Sequence, residues 1–295
     1  MIPFVRDIDV EYGRGDQVSS LIRRVIAANP GPFTFTGTGT YIVGQGEVAV
    51  IDPGPDLPAH LDALLAATAG ERIAAIAITH THLDHSPLSG PLARATGARV
   101  HGLAAPRLGD AAVRLDEGHD AAFSPDVSVI DGQRISGPGW TLEAVTTPGH
   151  ASNHVCWALL EENALFSGDH VMGWSTTVVS PPDGDMGDYY ASLDKIAARG
   201  FERLWPTHGP PVTEVAPFLA AYRAHRLARE GQILEQIAQG RGRISEMVRV
   251  IYADVDPRLH PAAAHSVLAH LIHLERSGRV KVEGEGGPTA RYRLA

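Results

Sequence analysis

"IAAIAITHTHLDHS", residues 73–86, runs from an apolar segment straight into three histidines and an aspartate within the six positions His80–His85. The apolar half reads as a buried β-strand. Where it ends, His80 and His82 are two residues apart, so an extended backbone points both side chains to one side. Asp84 and His85 follow at the turn into a helix expected from about Ser86. Imidazole and carboxylate together are ligands of borderline cations such as zinc. Four such donors cannot all serve one catalytic ion and still leave room for water, so the cluster points to two metals.

Further donors lie downstream. "TTPGH" supplies His150, "LFSGDH" supplies Asp169 and "LWPTHG" supplies His208. Each follows an apolar, strand-like run and falls in a loop at its C-terminal end, where sites on open sheets collect. The other strands expected are residues 40–44, 47–52, 98–102, 142–147, 154–160 and 164–168, with helices over 58–70, 86–97 and 185–200. Strands mixed with helices imply an α/β protein with helices covering sheet faces. Near Pro217 the composition shifts to three amphipathic helices, then "RVKVEG" and "ARYRLA" around a glycine-rich turn. That is a winged-helix pattern, so the chain divides into a catalytic unit at 1–216 and a winged-helix-like unit at 217–295.

Charge narrows the function classes. The net charge is −9, but residues 217–295 hold 12 Lys/Arg against 8 Asp/Glu, while residues 1–216 hold 13 against 26. A weakly basic tail on an acidic body falls short of a dedicated nucleic-acid binder. No apolar run approaches the ~18 residues of a membrane span. The start has no basic segment followed by an apolar one, so no export signal is read and a cytoplasmic location is expected. Cys156, the single cysteine, sits in an apolar run and reads as a small buried hydrophobe.

Taken in order, "HTHLDH", "TPGH", "SGDH" and "PTHG" resemble the metallo-β-lactamase superfamily, and "VIDPG" (50–54) resembles its first motif. The resemblance implies an αβ/βα sandwich: two facing mixed sheets with helices outside. It implies one metal on His80, His82 and His150, a second on Asp84, His85 and His208, and Asp169 bridging both. Asp52 would support the ligands without binding an ion. The cofactors would be two divalent ions, zinc first, with manganese or iron as alternatives. His154, His170 and Trp174 are candidate pocket residues. With "NPGPFTFTGTGTYIVG" (29–44) and the winged-helix tail, the chain is most similar to the β-lactamase-like-protein-2 family. The 38 residues between Asp169 and His208 leave no space for the large insert of the superfamily's nucleic-acid-processing branch.

The function implied is hydrolysis by a hydroxide bridging two metals, with Asp84 orienting it. The resemblance suggests single-stranded RNA as substrate, in the manner of an endoribonuclease. A small acyl substrate, a thioester or lactone as in hydroxyacylglutathione hydrolases, is the alternative, with weak β-lactam cleavage as a side activity. A third reading is a metal-sensing nucleic-acid-binding protein. Against it, "HPAAAHSVLAHLIHLERSG" (260–278) offers few groove-reading side chains. Packing onto the catalytic unit, or a homodimer contact, suits that helix better.

Overall fold

The structure is a computed structural model that describes residues 1–108, 118–284 and 286–295. Seven strands run in sequence order across the first sheet: β1 (Gly15–Gln17), β2 (Ile22–Ile26), β3 (Gly39–Gln45), β4 (Glu47–Ile51), β5 (Arg72–Ala77), β6 (Arg99–Gly102) and β7 (Val127–Ser128). Strands β1 to β4 pair antiparallel, and β4 to β7 pair parallel. The second sheet holds β8 (Arg134–Gly137), β9 (Trp140–Thr146), β10 (Val155–Leu159), β11 (Ala164–Gly168) and β12 (Arg203–Pro206), with only β11 and β12 parallel. Helices α1 (Pro58–Ala67) and α2 (Ser89–Thr96) flank the first sheet, and α3 (Met186–Arg199) flanks the second. The result is the expected sandwich with helices outside.

Its core follows from strand alternation. Tyr41, Val43, Ala49 and Ile51 face inward against Trp140, Leu142, Val155, Trp157 and Phe166 of the other sheet. Their neighbours Ile42, Val48, Val50 and Ile76 face outward onto Leu64 of α1 and Leu92 of α2. Cys156, Ala158 and Leu165 face the α3 side with Tyr189, Leu193 and Ile196. Both faces of each sheet are covered, so the strands read as continuous apolar runs instead of alternating ones. Cys156 is fully buried, and burial pushes its thiol up to about 12, as suits a packing residue.

Local signals set α3. Asp185 caps it by accepting from the Gly187 and Asp188 amides, and Gly200 ends it in a left-handed conformation. The helix expected from Ser86 instead begins at Ser89. Residues 82–86 are wound into a turn by the His85 and Ser86 amides, which both donate to the His82 carbonyl.

Helix α4 (Val215–Ala238) spans the two units. Phe218, Leu219 and Tyr222 pack in the α3 layer, while Ile233 and Ile237 belong to a separate core. That second core joins α5 (Ile244–Ile251), α6 (His260–Arg276) and the hairpin of β13 (Val280–Glu283) and β14 (Arg291–Leu294). The boundary read at residues 216 and 217 therefore lies inside one helix. Buried Glu230 of α4 ties the layers together: it accepts from Tyr190 of α3 at 3.0 Å and stands 3.4 Å from His270 of α6 and from Arg279. Among the described residues no helix is long and apolar enough to cross a membrane.

Candidate metal centre

The seven donors named from the sequence lie beyond the C-terminal ends of β5, β9, β11 and β12, and all are buried. Two turns depend on glycine. Gly149, before His150, has φ +140°, and a Cβ there would stand 2.4 Å from the Tyr189 Cα. Gly168, before Asp169, has φ +53°, and a Cβ would meet His154 Nε2 at 2.6 Å.

Hydrogen bonds set the tautomer of four of the five rings. Thr79 Oγ1 donates to Asp52 Oδ2 at 2.6 Å, so at 3.1 Å it must accept from His80 Nδ1. His85 Nδ1 donates to Asp52 Oδ2, His150 Nδ1 to the Val178 carbonyl, and His208 Nδ1 to the Gly37 carbonyl. That leaves Nε2 of His80, His85, His150 and His208 as the atom available to a metal ion. His80 Nε2 lies 2.9 Å from His82 Nδ1, which lies 3.2 Å from His150 Nε2. Three nitrogens held about 2.0–2.1 Å from one tetrahedral ion stand about 3.3 Å apart. The spacing fits a cation between them.

The acidic half has the same logic. His208 Nε2 is 3.1 Å from Asp84 Oδ2, and His85 Nε2 is 3.4 Å from it. Asp169 Oδ1 lies 3.4 Å from His208 Nε2, while its Oδ2 turns toward His150 Nε2 at 4.0 Å. Asp169 thus faces both halves. Asp84 Oδ1, Asp169 Oδ1, His85 Nε2 and His208 Nε2 are buried and make no aligned hydrogen bond among the described residues. Three triads have ligand atoms within 4.8 Å of one another: His80, His82 and His150; His80, His85 and Asp169; Asp84, His85 and His208. Orphaned, convergent donors of this kind fit divalent metal ions.

The electrostatics point the same way. Burial works against charge on His208, yet the Asp169 and Asp84 carboxylates raise its imidazole to about 10. Burial likewise opposes charge on His85, but Asp84, Asp169 and Asp52 raise it well above the ordinary range. Burial would lift Asp84 and Asp169, but His85 and His208 hold both low. On the other side, burial and then His85 and His82 push His80 far down. The carboxylates demand positive charge that the site otherwise draws from protons, and bound cations would displace those protons.

Asp52 supports this set from behind. It has φ +47° and takes hydrogen bonds from the Thr79 amide, the Thr79 and Thr207 hydroxyls and His85. Sequence reading missed the two threonines, although the repeated Thr-His pairs 79–80 and 207–208 were a usable signal. Trp174 lines a cavity of about 240 Å³ over the donors, stacked on Phe35 at 4.8 Å. His154 and His170, read as pocket candidates, lie behind it. His154 Nε2 accepts from the Asp169 amide at 3.3 Å, while its Nδ1 lies 2.9 Å from Thr147 Oγ1. His170 packs on the Tyr189 ring, and burial lowers its imidazole to about 3.

Facing mixed sheets with ligand-bearing loops gathered where their strands end define a metal-dependent hydrolase of the αβ/βα class. The model of the metallo-beta-lactamase superfamily matches residues 34–208, and the chain belongs to that superfamily. A beta-lactamase associated winged helix domain matches residues 244–288. The atrochrysone carboxyl ACP thioesterase of Aspergillus chevalieri is 33% identical over 288 residues, which cover 92% of this chain and 86% of the relative. The beta-lactamase-like protein 2 homolog of Caenorhabditis elegans is 32% identical over 271 residues, covering 90% and 88%. A beta-lactamase domain protein from Burkholderia ambifaria shares the fold at TM-score 0.79 and 20% identity, covering 100% of this chain and 97% of that one.

Proposed function

We propose that this hydrolase cleaves thioesters of apolar acyl groups, using two divalent cations, with zinc preferred by the His/Asp donor set. The cavity carries this reading. Pro32, Phe33, Met172, Trp174 and Val178 form apolar walls above His82, Asp84, His150 and Asp169. No lysine or arginine is among the described residues that line it. An acyl chain gains from such walls, whereas an RNA backbone needs cations against its phosphates. The thioesterase relative lends support from a separate direction.

In this reading His80, His82 and His150 would hold one cation and Asp84, His85 and His208 the other, with Asp169 available to both. Bound there, the cations would supply an activated water and counter-charge for the developing oxyanion. The protein's own groups place the reactants. Asp84 Oδ1, with no hydrogen-bond partner among the described residues, accepts from the attacking water and aims it. The apolar walls hold the acyl group and exclude bulk water. A thiol has a pKa near about 8.5, so a thiolate departs without a strong acid. An alkoxide or amide leaving group needs a proton donor. His154 and His170, the two pocket candidates, are turned behind the site, and His119, whose ring centre lies 4.5 Å from that of His82, stands against Asp183 at 3.4 Å. This favours a thioester over a lactone or lactam.

The test is turnover of a series of acyl thioesters of rising chain length by zinc-loaded protein, beside Asp84→Ala. Rates that climb with acyl length and vanish in the variant are expected. Single-stranded RNA is run in parallel. RNA cleavage that depends on Asp84, with no thioester turnover above the variant, would reverse the assignment.

A further inference from the structure

The segment after Asp169 is gripped from helix α4. Arg226 is buried, and its Nη2 donates to the Thr177 carbonyl. Its guanidinium lies 5.3 Å from the centre of the Tyr189 ring, and Tyr189 donates to the His170 carbonyl at 2.8 Å. Two ligands depend on the Thr177–Val178 segment. Thr177 Oγ1 lies 2.8 Å from the Asp169 carbonyl and 3.0 Å from the His170 carbonyl. The Val178 carbonyl takes the Nδ1 proton of His150 at 2.6 Å. One short segment therefore braces the backbone of Asp169 and the ring of His150, and an α4 side chain braces the segment.

We propose that Arg226 is a positioning residue for the metal centre. By fixing the Thr177 carbonyl it holds the Val178 carbonyl on His150 Nδ1, which aims His150 Nε2 at His80 and His82. The inference rests on reading those three histidines as a metal site. A plain packing role would suit an apolar side chain better. Burying a guanidinium is costly, and Arg226 Nε is buried with no hydrogen-bond partner among the described residues. What the charge supplies is a stronger bond to one carbonyl than a neutral donor gives. Because α4 runs on into the winged-helix core, that domain becomes part of the apparatus that shapes the metal site.

The test is cobalt(II) titration of the full-length chain, followed by visible absorption and chelator competition, with thermal melting of the metal-free protein alongside. Arg226→Met should weaken one of the two cobalt ions by about tenfold and alter its absorption bands. Arg226→Lys, which keeps a charged donor, should restore much of both. Arg226→Gln, too short to reach the Thr177 carbonyl, is read like Arg226→Met if the latter fails to fold. Unchanged affinity and spectrum with a lowered melting temperature would overturn the proposal, as would failure of both neutral variants to fold. Absence of bound cobalt in the wild type would instead remove the metal reading itself.

Discussion

His85 donates a hydrogen bond from Nδ1 to Asp52 Oδ2 across 2.8 Å, inside a site where both side chains are fully buried. The bond turns His85 Nε2 toward Asp84 and Asp169. The same carboxylate satisfies Thr79 and Thr207. One residue that need touch no metal thus sets the direction of loops from both sheets.

Asp52→Ala should therefore cost stability and metal together. It strands three side-chain donors and one amide in the interior, a loss of about 3–5 kcal/mol. Cation affinity at the His85 half should fall by about 10–100-fold. Urea unfolding and chelator competition measure the two separately. A variant with wild-type affinity would show that His85 is aimed by something else.

Metal removal should destabilise the fold. Each cation present at about 1,000 times its dissociation constant adds about 4 kcal/mol by linkage, so two add about 8 kcal/mol. For a chain of this size, stripping both should lower the melting temperature by about 10–15 °C. Calorimetry before and after dialysis against chelator, then with zinc restored, checks this. An unchanged melting temperature in protein that had carried two ions per chain would contradict it.

His60 should make stability fall in mild acid. The Thr40 hydroxyl donates to the Asp52 carbonyl at 2.7 Å, so at 2.8 Å it accepts from His60 Nε2. His60 Nδ1 is then a buried acceptor without a partner among the described residues. Burial lowers the imidazole from 6.5 to about 4. A depressed folded value means the unfolded chain binds the proton more readily. The stability this neutral ring contributes is complete above pH 6.5 and is lost as pH falls toward 4. The loss amounts to at most about 3 kcal/mol. His60→Gln keeps a donor to Thr40 without titrating. Urea midpoints above and below that window should drop less in the variant, and equal drops would refute the assignment.

Trp174→Ala should separate binding from chemistry. The indole lines the cavity and stacks on Phe35 with the planes 16° apart. Its loss should raise KM for long acyl thioesters about tenfold, equivalent to about 1.4 kcal/mol, and spare kcat. Steady-state kinetics on short and long acyl groups decide the matter. A collapse of kcat on both would place Trp174 in the support of the metal centre.

Much of this protein is written locally. The strand–loop junctions carrying His80 to His85, His150, Asp169 and His208 could be read because each donor directly follows the apolar run that ends in its loop. Helix α3 could be read from its cap residues Asp185 and Gly200. Strands β1 and β7 could not, being two or three residues long and held only by their neighbours.

What no local pattern contains is direction. His154 and His170 flank recognised motifs, yet one turns onto the Asp169 amide and the other onto Tyr189. Arg226 belongs to no motif and meets Thr177 only because α4 packs across the loop. Sequence alone determined which residues could bind metal and the order of the strands that present them, since donor chemistry and strand period are properties of neighbouring residues. Tertiary structure alone decided which donors lie within reach of one another, which histidines face away and what holds each ring in place. Those relations depend on distances and hydrogen bonds between segments far apart in the chain.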